Sequence, residues 1–413
     1  MSVLGQHIKK RRVARNLTQT DVAAMAGLSV DVIAKLEQGQ RHAVRWDTLS
    51  AIARALDVSV AELVGKPQGL LAGAEDAEVH HLRRAIFDVI EVSEQPPGLE
   101  ALRGGLGEAW RAYWTGGYAP LARMLPEQIA RARASVADAP GRARVSFAAV
   151  LADLLHLAAS LLAHLAHDDL AALAMHQALA AADESQNPLM VAGLSASRAW
   201  LLSRQGLLTE AQNLALATAA QIEPRLSSAP VDQIAVWGEN LRYATVALSR
   251  AGRHDEAAET QSLVDAAAAR VGQLRPERAW TERVTDKTTA SGSAPLAGLA
   301  FGPTLAAMTA VTIHVTADQP RKALTLQERV ERPGTQSPLM RSRHLLNLAW
   351  AQMADHRLTD AVTSIRTAEQ LAPQALPHQT IARSIVAELL PQRRVQKLPG
   401  LVGLAQRMGI DTD

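Results

Sequence analysis

This chain of 413 residues contains no cysteine. Disulfide cross-links, thiolate catalysis and cysteine-ligated zinc are therefore excluded. Aromatic side chains are scarce: seven Trp, three Tyr and three Phe make up 3% of the sequence. Runs of β-branched residues are few as well, whereas Ala, Leu and Arg abound, which favours helix throughout. No uninterrupted apolar stretch reaches the roughly 18 residues that would mark a membrane span. The opening "MSVLGQHIKKRRVARN" puts its basic cluster after a short apolar piece and not before a long one. Neither a signal peptide nor a membrane helix is expected, and the protein should work in the cytoplasm. G-x-S-x-G, H-E-x-x-H and G-x-x-x-x-G-K-[ST] are all missing, and carboxylates are scattered at helix ends. The expectation is a protein that is not an enzyme and carries no cofactor. His156, His164, His167 and Asp168 are close enough to suggest a metal. Two His at i, i+3 beside a loop more often mark a solvated helix end, so no metal is assigned.

The length calls for more than one core, and charge is uneven along it. Residues 1–66 hold ten Lys or Arg against six Asp or Glu, a net of +4, and the remainder nets −2. A basic head on a slightly acidic body suits a head that meets a polyanion, although Lys9, Lys10, Arg11, Arg12 and Arg15 also read as a solvated helix face.

In the head, helices are expected over 3–16, 19–26, 30–38, Trp46–Leu56 and Ser59–Val64. Thr18 and Ser29 are N-cap residues for the second and third, and Gly27 supplies the left-handed residue of the sharp turn between them. Helices of about two turns are unstable alone. Fixed at a steep angle by three others, the second of the pair can enter a DNA major groove. "LTQTDVAAMAGLSVDVIAKLEQGQR" (17–41), followed by "LSAIARALDVSVAELVG" (49–65), resembles the five-helix DNA-binding domain of the Cro/repressor (xenobiotic-response-element) family over about 62 residues. The resemblance implies roles residue by residue. Gln19 would hydrogen-bond a phosphate. Arg12 and Glu37 match a partly buried ion pair between helices. Val30, Asp31 and Lys35 match positions facing base edges, with Val32 beside them and Ser29 and Gln38 at the ends of the same helix. Lys35 could reach guanine, and Asp31 could accept from cytosine or simply complement the helix dipole. Arg41 and Arg45 match a phosphate-touching loop. Family members often carry Gln, Ser or Thr where this chain has Val30, Asp31 and Val32, so the target sequence stays open.

"GKPQGLLAGAED" (65–76) reads as linker, giving a head over 1–66, a linker over 67–76 and a body over 77–413. The body repeats a pattern: an apolar helix, a short polar or Gly turn, then a helix opening with an acid and Ala. "LSRQGLLTEAQNLAL" (202–216), "LSRAGRHDEAAETQS" (248–262) and "AQMADHRLTDAVTSI" (351–365) show it best, and Ala122, Ala172, Ala211, Ala257, Ala323 and Ala361 mark its copies. The fold class expected is all-α: the five-helix head plus an α-solenoid of tetratricopeptide-like helix pairs with a concave side. "TDKTTASGSAP" (285–295) reads as a loop and 378–411 as a capping pair. The whole chain resembles regulators of antibiotic-producing soil bacteria that join such a head to such a body. That resemblance implies a homodimer on double-stranded operator DNA, with a peptide or small-molecule effector in the groove. The alternative is a DNA-localised scaffold whose body binds a protein; neither reading involves a membrane. Candidate ligand-binding residues on first helices are Trp200, Trp237, Asn240, Tyr243, Arg343 and Asn347, with Trp350 recurring there too. The plainer alternative makes the tryptophans core wedges and the polar residues solvent-facing.

Overall fold

The computed structural model describes residues 3–39, 46–56, 58, 63, 72–90, 96–275, 277–278, 301–330, 334–390 and 398–410, and these contain helices, turns and loops with no strand. In the head, α1 spans Val3–Ala14, α2 Gln19–Ala26, α3 Val30–Glu37 and α4 Trp46–Ala55. Thr18 starts α2 through a reciprocal cap: its hydroxyl accepts from the Asp21 N–H at 3.1 Å, and the Asp21 carboxylate accepts from the Thr18 N–H at 2.7 Å. Gly27 takes φ 65° and ends α2, and the Leu28 N–H returns to Ala23 O at 2.9 Å. Ile8, Val22, Ile33, Leu36, Leu49, Ile52 and Leu56 form one buried core beneath these helices. The expected helix Ser59–Val64 lies outside the described residues except for Leu63, which joins that core. Helix α5, Ala72–Ile86, begins inside the stretch expected as linker.

Helical hairpins follow, each a first helix that packs on its partner and on the next pair. They are α6 Leu99–Trp114 with α7 Tyr118–Asp138, α8 Gly141–His164 with α9 Asp168–Glu184, and α10 Pro188–Arg204 with α11 Leu208–Gln221. Then come α12 Val231–Arg250 with α13 His254–Leu274, α14 Pro303–Thr316 with α15 Pro320–Thr325, a short α16 Gln327–Val330, and α17 Pro338–Ala354 with α18 Leu358–Leu371. Helices α19 Thr380–Leu389 and α20 Leu401–Arg407 cap the array. The loop expected at 285–295 lies outside the described residues.

One device ends every first helix. Two residues past its last residue the backbone turns left-handed, at Gly116, Ala166, Gly206, Gly252, Asp318 and His356. The N–H of the next residue then returns to the carbonyl five positions back, at 2.8–3.0 Å in all six. Orphan carbonyls at the helix end are satisfied this way, and the following helix is aimed back along the first. Five residues after the left-handed position the second helix buries Ala171, Ala211, Ala257, Ala323 or Ala361, or Leu121 in the first pair. In the first two pairs the sequence pattern is off by one: Leu121 and not Ala122 stands at this position in the first, and in the second Ala172 is exposed while Ala171 fills the close contact.

Helix α8 is long and apolar enough to cross a bilayer, with mean hydropathy 1.9, against the expectation of no such helix. Its apolar window is 72% buried among α6, α7, α9 and α10, so its hydrophobicity serves the core of the array.

The array is not an open concave sheet of hairpins, because its last pair packs on its first. Leu339, Ala372 and Ala375 join the core of α5–α10. The Gln374 side-chain Oε1 accepts from the Ala119 N–H at 3.0 Å. Gly116 sits where a Cβ would come within 2.8 Å of Ala372 Cβ, so this seam needs both its left-handed φ and its bare backbone.

Ala166 holds a left-handed conformation that costs a residue bearing Cβ. Ala166→Gly should therefore stabilise the body by roughly 0.5–1 kcal/mol, read as a higher denaturant midpoint. A lower midpoint would show that this turn carries no strain.

Candidate functional site

Two places carry chemistry: the exposed face of α3 and a cavity at the centre of the body. On α3, Ile33 and Leu36 point into the head core, which leaves Val30, Asp31, Lys35 and Gln38 exposed. Asp31 and Lys35 are paired at 2.7 Å across one helical turn. Ser29 caps α3, its hydroxyl accepting from the Val32 N–H at 3.4 Å. Val32 is half-buried against the head core. Arg41 and Arg45 lie outside the described residues.

Behind this face, the Arg12 guanidinium donates to both Glu37 oxygens, at 2.6 and 3.0 Å, and to Leu17 O at 2.8 Å. Glu37 is only 4% exposed. The Gln19 amide, expected on a phosphate, donates to the second Glu37 oxygen at 2.8 Å. The carboxylate thus fixes the start of α2 against the end of α3. Burial alone would push the Glu37 carboxyl up, but hydrogen bonds from Arg12 and Gln19 outweigh it and hold it below the ordinary carboxylate range.

The central cavity measures about 720 Å³ and is lined by the first helices of all the pairs. The turn device sets which residues face it. The last residue of each first helix does so: Trp114, His164, Arg204, Arg250, Thr316 and Ala354. One turn earlier the same holds for Trp110, Ser160, Trp200, Val246, Thr312 and Trp350. Of the residues suggested from sequence, Trp200, Tyr243, Arg343 and Asn347 lie on the wall, the last donating to Thr312 Oγ1 at 3.0 Å. Trp237 and Asn240 do not. They project from α12 toward its neighbours: Trp237 packs in a core with Phe301, and the fully buried Asn240 amide donates to Val236 O and Ala192 O. Sequence periodicity gives a stripe but not the angle at which it faces a neighbour.

Basic groups gather on one side of the wall. The Arg343 guanidinium donates to Tyr113 Oη at 3.4 Å and to His164 Nε2. Arg204 lies 5.3 Å from the Trp200 ring centroid and donates to Ala163 O at 2.9 Å. Arg250 donates to Ser203 Oγ at 3.1 Å. Arg242 is matched with Glu239 at 2.6 Å and stacks 3.9 Å over Tyr243. His164 is no solvated helix end: it is 3% exposed and stacks on Tyr118. Burial, then Arg343, Arg204 and His378, hold its pKa well below the ordinary value. It is neutral at pH 7, and because a guanidinium only donates, Nε2 must be the acceptor and Nδ1 must carry the proton. Burial also lowers His344 to about 4 and raises Glu388 to about 7. Among the described residues, no group of three or more His, Cys, Asp and Glu could hold a metal.

Sequence reasoning missed Trp110, Tyr113, Trp114, Arg204 and Arg250. The signal for the two arginines was the repeated "LSR" before a turn Gly at 202–204 and 248–250, which marks one position in the repeat.

Residues 8–63 match the helix-turn-helix family, and the chain thus carries a helix-turn-helix DNA-binding domain of the xenobiotic-response-element type. A crystal structure of BtubC (BKLC) from P. vanneervenii is similar at 16% identity and a TM-score of 0.38, over 60% of this chain and 91% of that one. No curated protein matches the chain.

Because the folded pKa of Glu37 is lowered, its contribution to stability is complete above its ordinary value near 4.5 and is lost as pH falls through the lower folded value. Glu37→Gln should cost the head about 3 kcal/mol at pH 7 and remove that acid dependence. Amide exchange of α1–α3 in the full chain measures both; an unaltered pH profile would take Glu37 out of the account.

Proposed function

We propose that this chain is a sequence-specific transcriptional regulator acting in the cytoplasm, whose tetratricopeptide-like body dimerises and senses a small molecule. One observation carries the sensor reading. Of the 11 aromatic residues whose side chains are among the described ones, six line the central cavity: Trp110, Tyr113, Trp114, Trp200, Tyr243 and Trp350. Tryptophans acting only as core wedges would be spread through the cores of all the pairs. The volume suits a drug-sized molecule better than an extended protein surface, which favours a sensor over a scaffold.

The head is placed to feel the cavity. Leu49 of α4 belongs to the head core and also reaches the cavity wall. Helix α4 packs against α12, and Arg54 lies beside the Gly206 turn. A ligand that prefers one setting of this contact shifts the position of the head. In a dimer, two α3 helices must reach major grooves about 34 Å apart, so a displacement of a few ångströms decides whether both engage. On DNA, Lys35 exchanges Asp31 for a base edge, and Gln19, already ordered by Glu37, turns its second amide N–H and its backbone N–H toward the phosphates.

Selection of duplexes from a random library by the full chain, followed by footprinting, tests this. Two half-sites about 10 base pairs apart are expected, and Lys35→Ala should weaken the selected site by roughly 1–3 kcal/mol. Undiminished affinity in that variant removes Lys35 from the readout. Enrichment of no sequence at all sinks the regulator reading.

A further inference from the structure

The sensor reading leaves the chemistry of the ligand open, and the wall of the cavity narrows it. Arg204 and Arg343 both line it, and neither forms an ion pair among the described residues. The Nε of each is buried with no hydrogen-bond partner. Arg343 spends its Nη2 on the Tyr113 hydroxyl and on a neutral imidazole, neither of which offsets a charge. Arg204 sits over Trp200, and the His164 ring lies 5.2 Å from that same tryptophan, so both cations converge on one aromatic wall. Arg250 stands at the next position of the rim, close enough to Arg204 that burial and this neighbour lower it to about 10.

No carboxylate of the described residues forms an ion pair with Arg204 or Arg343. Glu239 is committed to Arg242. Glu388, on α19, is held near 7 by burial and is only partly ionised at neutral pH. Asp168 lies near Arg204, and Asp318 lines the wall from the turn after α14. Half-buried guanidiniums with no ion pair destabilise the empty cavity, and an anion that enters relieves this. A planar fork beside an indole face suits a carboxylate, sulfate or phosphate borne on a flat apolar body.

We propose that the cavity binds an aromatic or similarly flat apolar anion, its acidic group held by Arg204 and Arg343 and its ring laid against Trp200. This assignment rests on the sensor reading. His164 then has a defined part: neutral, it accepts from Arg343 and keeps the second edge of that guanidinium turned to the ligand without adding repulsive charge or competing as a carboxylate would.

The test compares two fluorescent probes of nearly equal shape on the full chain, 8-anilinonaphthalene-1-sulfonate and its neutral counterpart N-phenyl-1-naphthylamine. The sulfonate should bind with one-to-one stoichiometry and about tenfold more tightly than the neutral probe. Arg204→Gln and Arg343→Gln should each erase most of that preference while leaving the neutral probe within about twofold. Ser197→Trp, which fills the space one turn before Trp200, should abolish both. Circular dichroism melts identify a variant that has lost its fold. Arg343 also braces the seam, so Arg204→Gln, free of that duty, keeps the comparison valid if Arg343→Gln unfolds. Equal affinity for the two probes, blocked by Ser197→Trp, overturns the anion assignment and leaves the sensor reading standing. Binding of neither probe, or binding indifferent to Ser197→Trp, overturns both.

Discussion

The left-handed turn that ends each first helix is the constraint on which the body depends. It closes the orphan carbonyls of one helix and launches the next at a fixed angle, so it also fixes which residue stands last on the first helix. Because a helix advances 100° per residue, fixing one residue fixes the whole inward stripe. The cavity wall is therefore a register property of the repeat: Trp114, His164, Arg204, Arg250, Thr316 and Ala354 are equivalent positions with different chemistry. Alanines four places into the second helices of the other five pairs, where the first has Leu121, let those pairs close.

Closure of the array changes what that wall can do. An open solenoid would leave arginines in water, where they cost nothing and select little. Packing the last pair on the first, through Gly116 and Ala372, brings Arg343 of α17 against Tyr113 and His164 of α6 and α8. Guanidiniums that are distant in sequence then share one low-dielectric space, where an unmatched charge is expensive and the proposed anion would be favoured.

The head uses one buried carboxylate for two purposes. Glu37 ties α1 to α3 through Arg12 and orients Gln19 at the start of α2, so folding and DNA reading draw on one network. With Leu49 in both the head core and the cavity wall, the positions of the reading helix and of the body are mechanically joined. In the proposed function, occupancy of the cavity and seating on DNA are then linked free energies, each altering the other by the same factor.

The sequence by itself determined the helix-turn-helix head, down to the Thr18 and Ser29 caps and the Gly27 turn, because these depend on local residue types, while the Arg12–Glu37 match came from the resemblance to the Cro/repressor family. It also determined that the body is a run of helical pairs, since Gly206 and Gly252 in "LSRQG" and "LSRAG" announce their turns. Less was legible where a left-handed turn rests on Ala166, Asp318 or His356, residues that do not advertise one, and Ala172 was accordingly taken for Ala171. Only the tertiary structure decided that Asn240 and Trp237 face neighbouring helices while Arg204, Tyr113 and His164 face the cavity. Helical periodicity defines a stripe, but the direction in which a stripe looks depends on how many pairs stack and on whether the last meets the first. That closure joins residues some 230 positions apart, as Arg343 joins Tyr113, and no local pattern in the chain encodes such a distance.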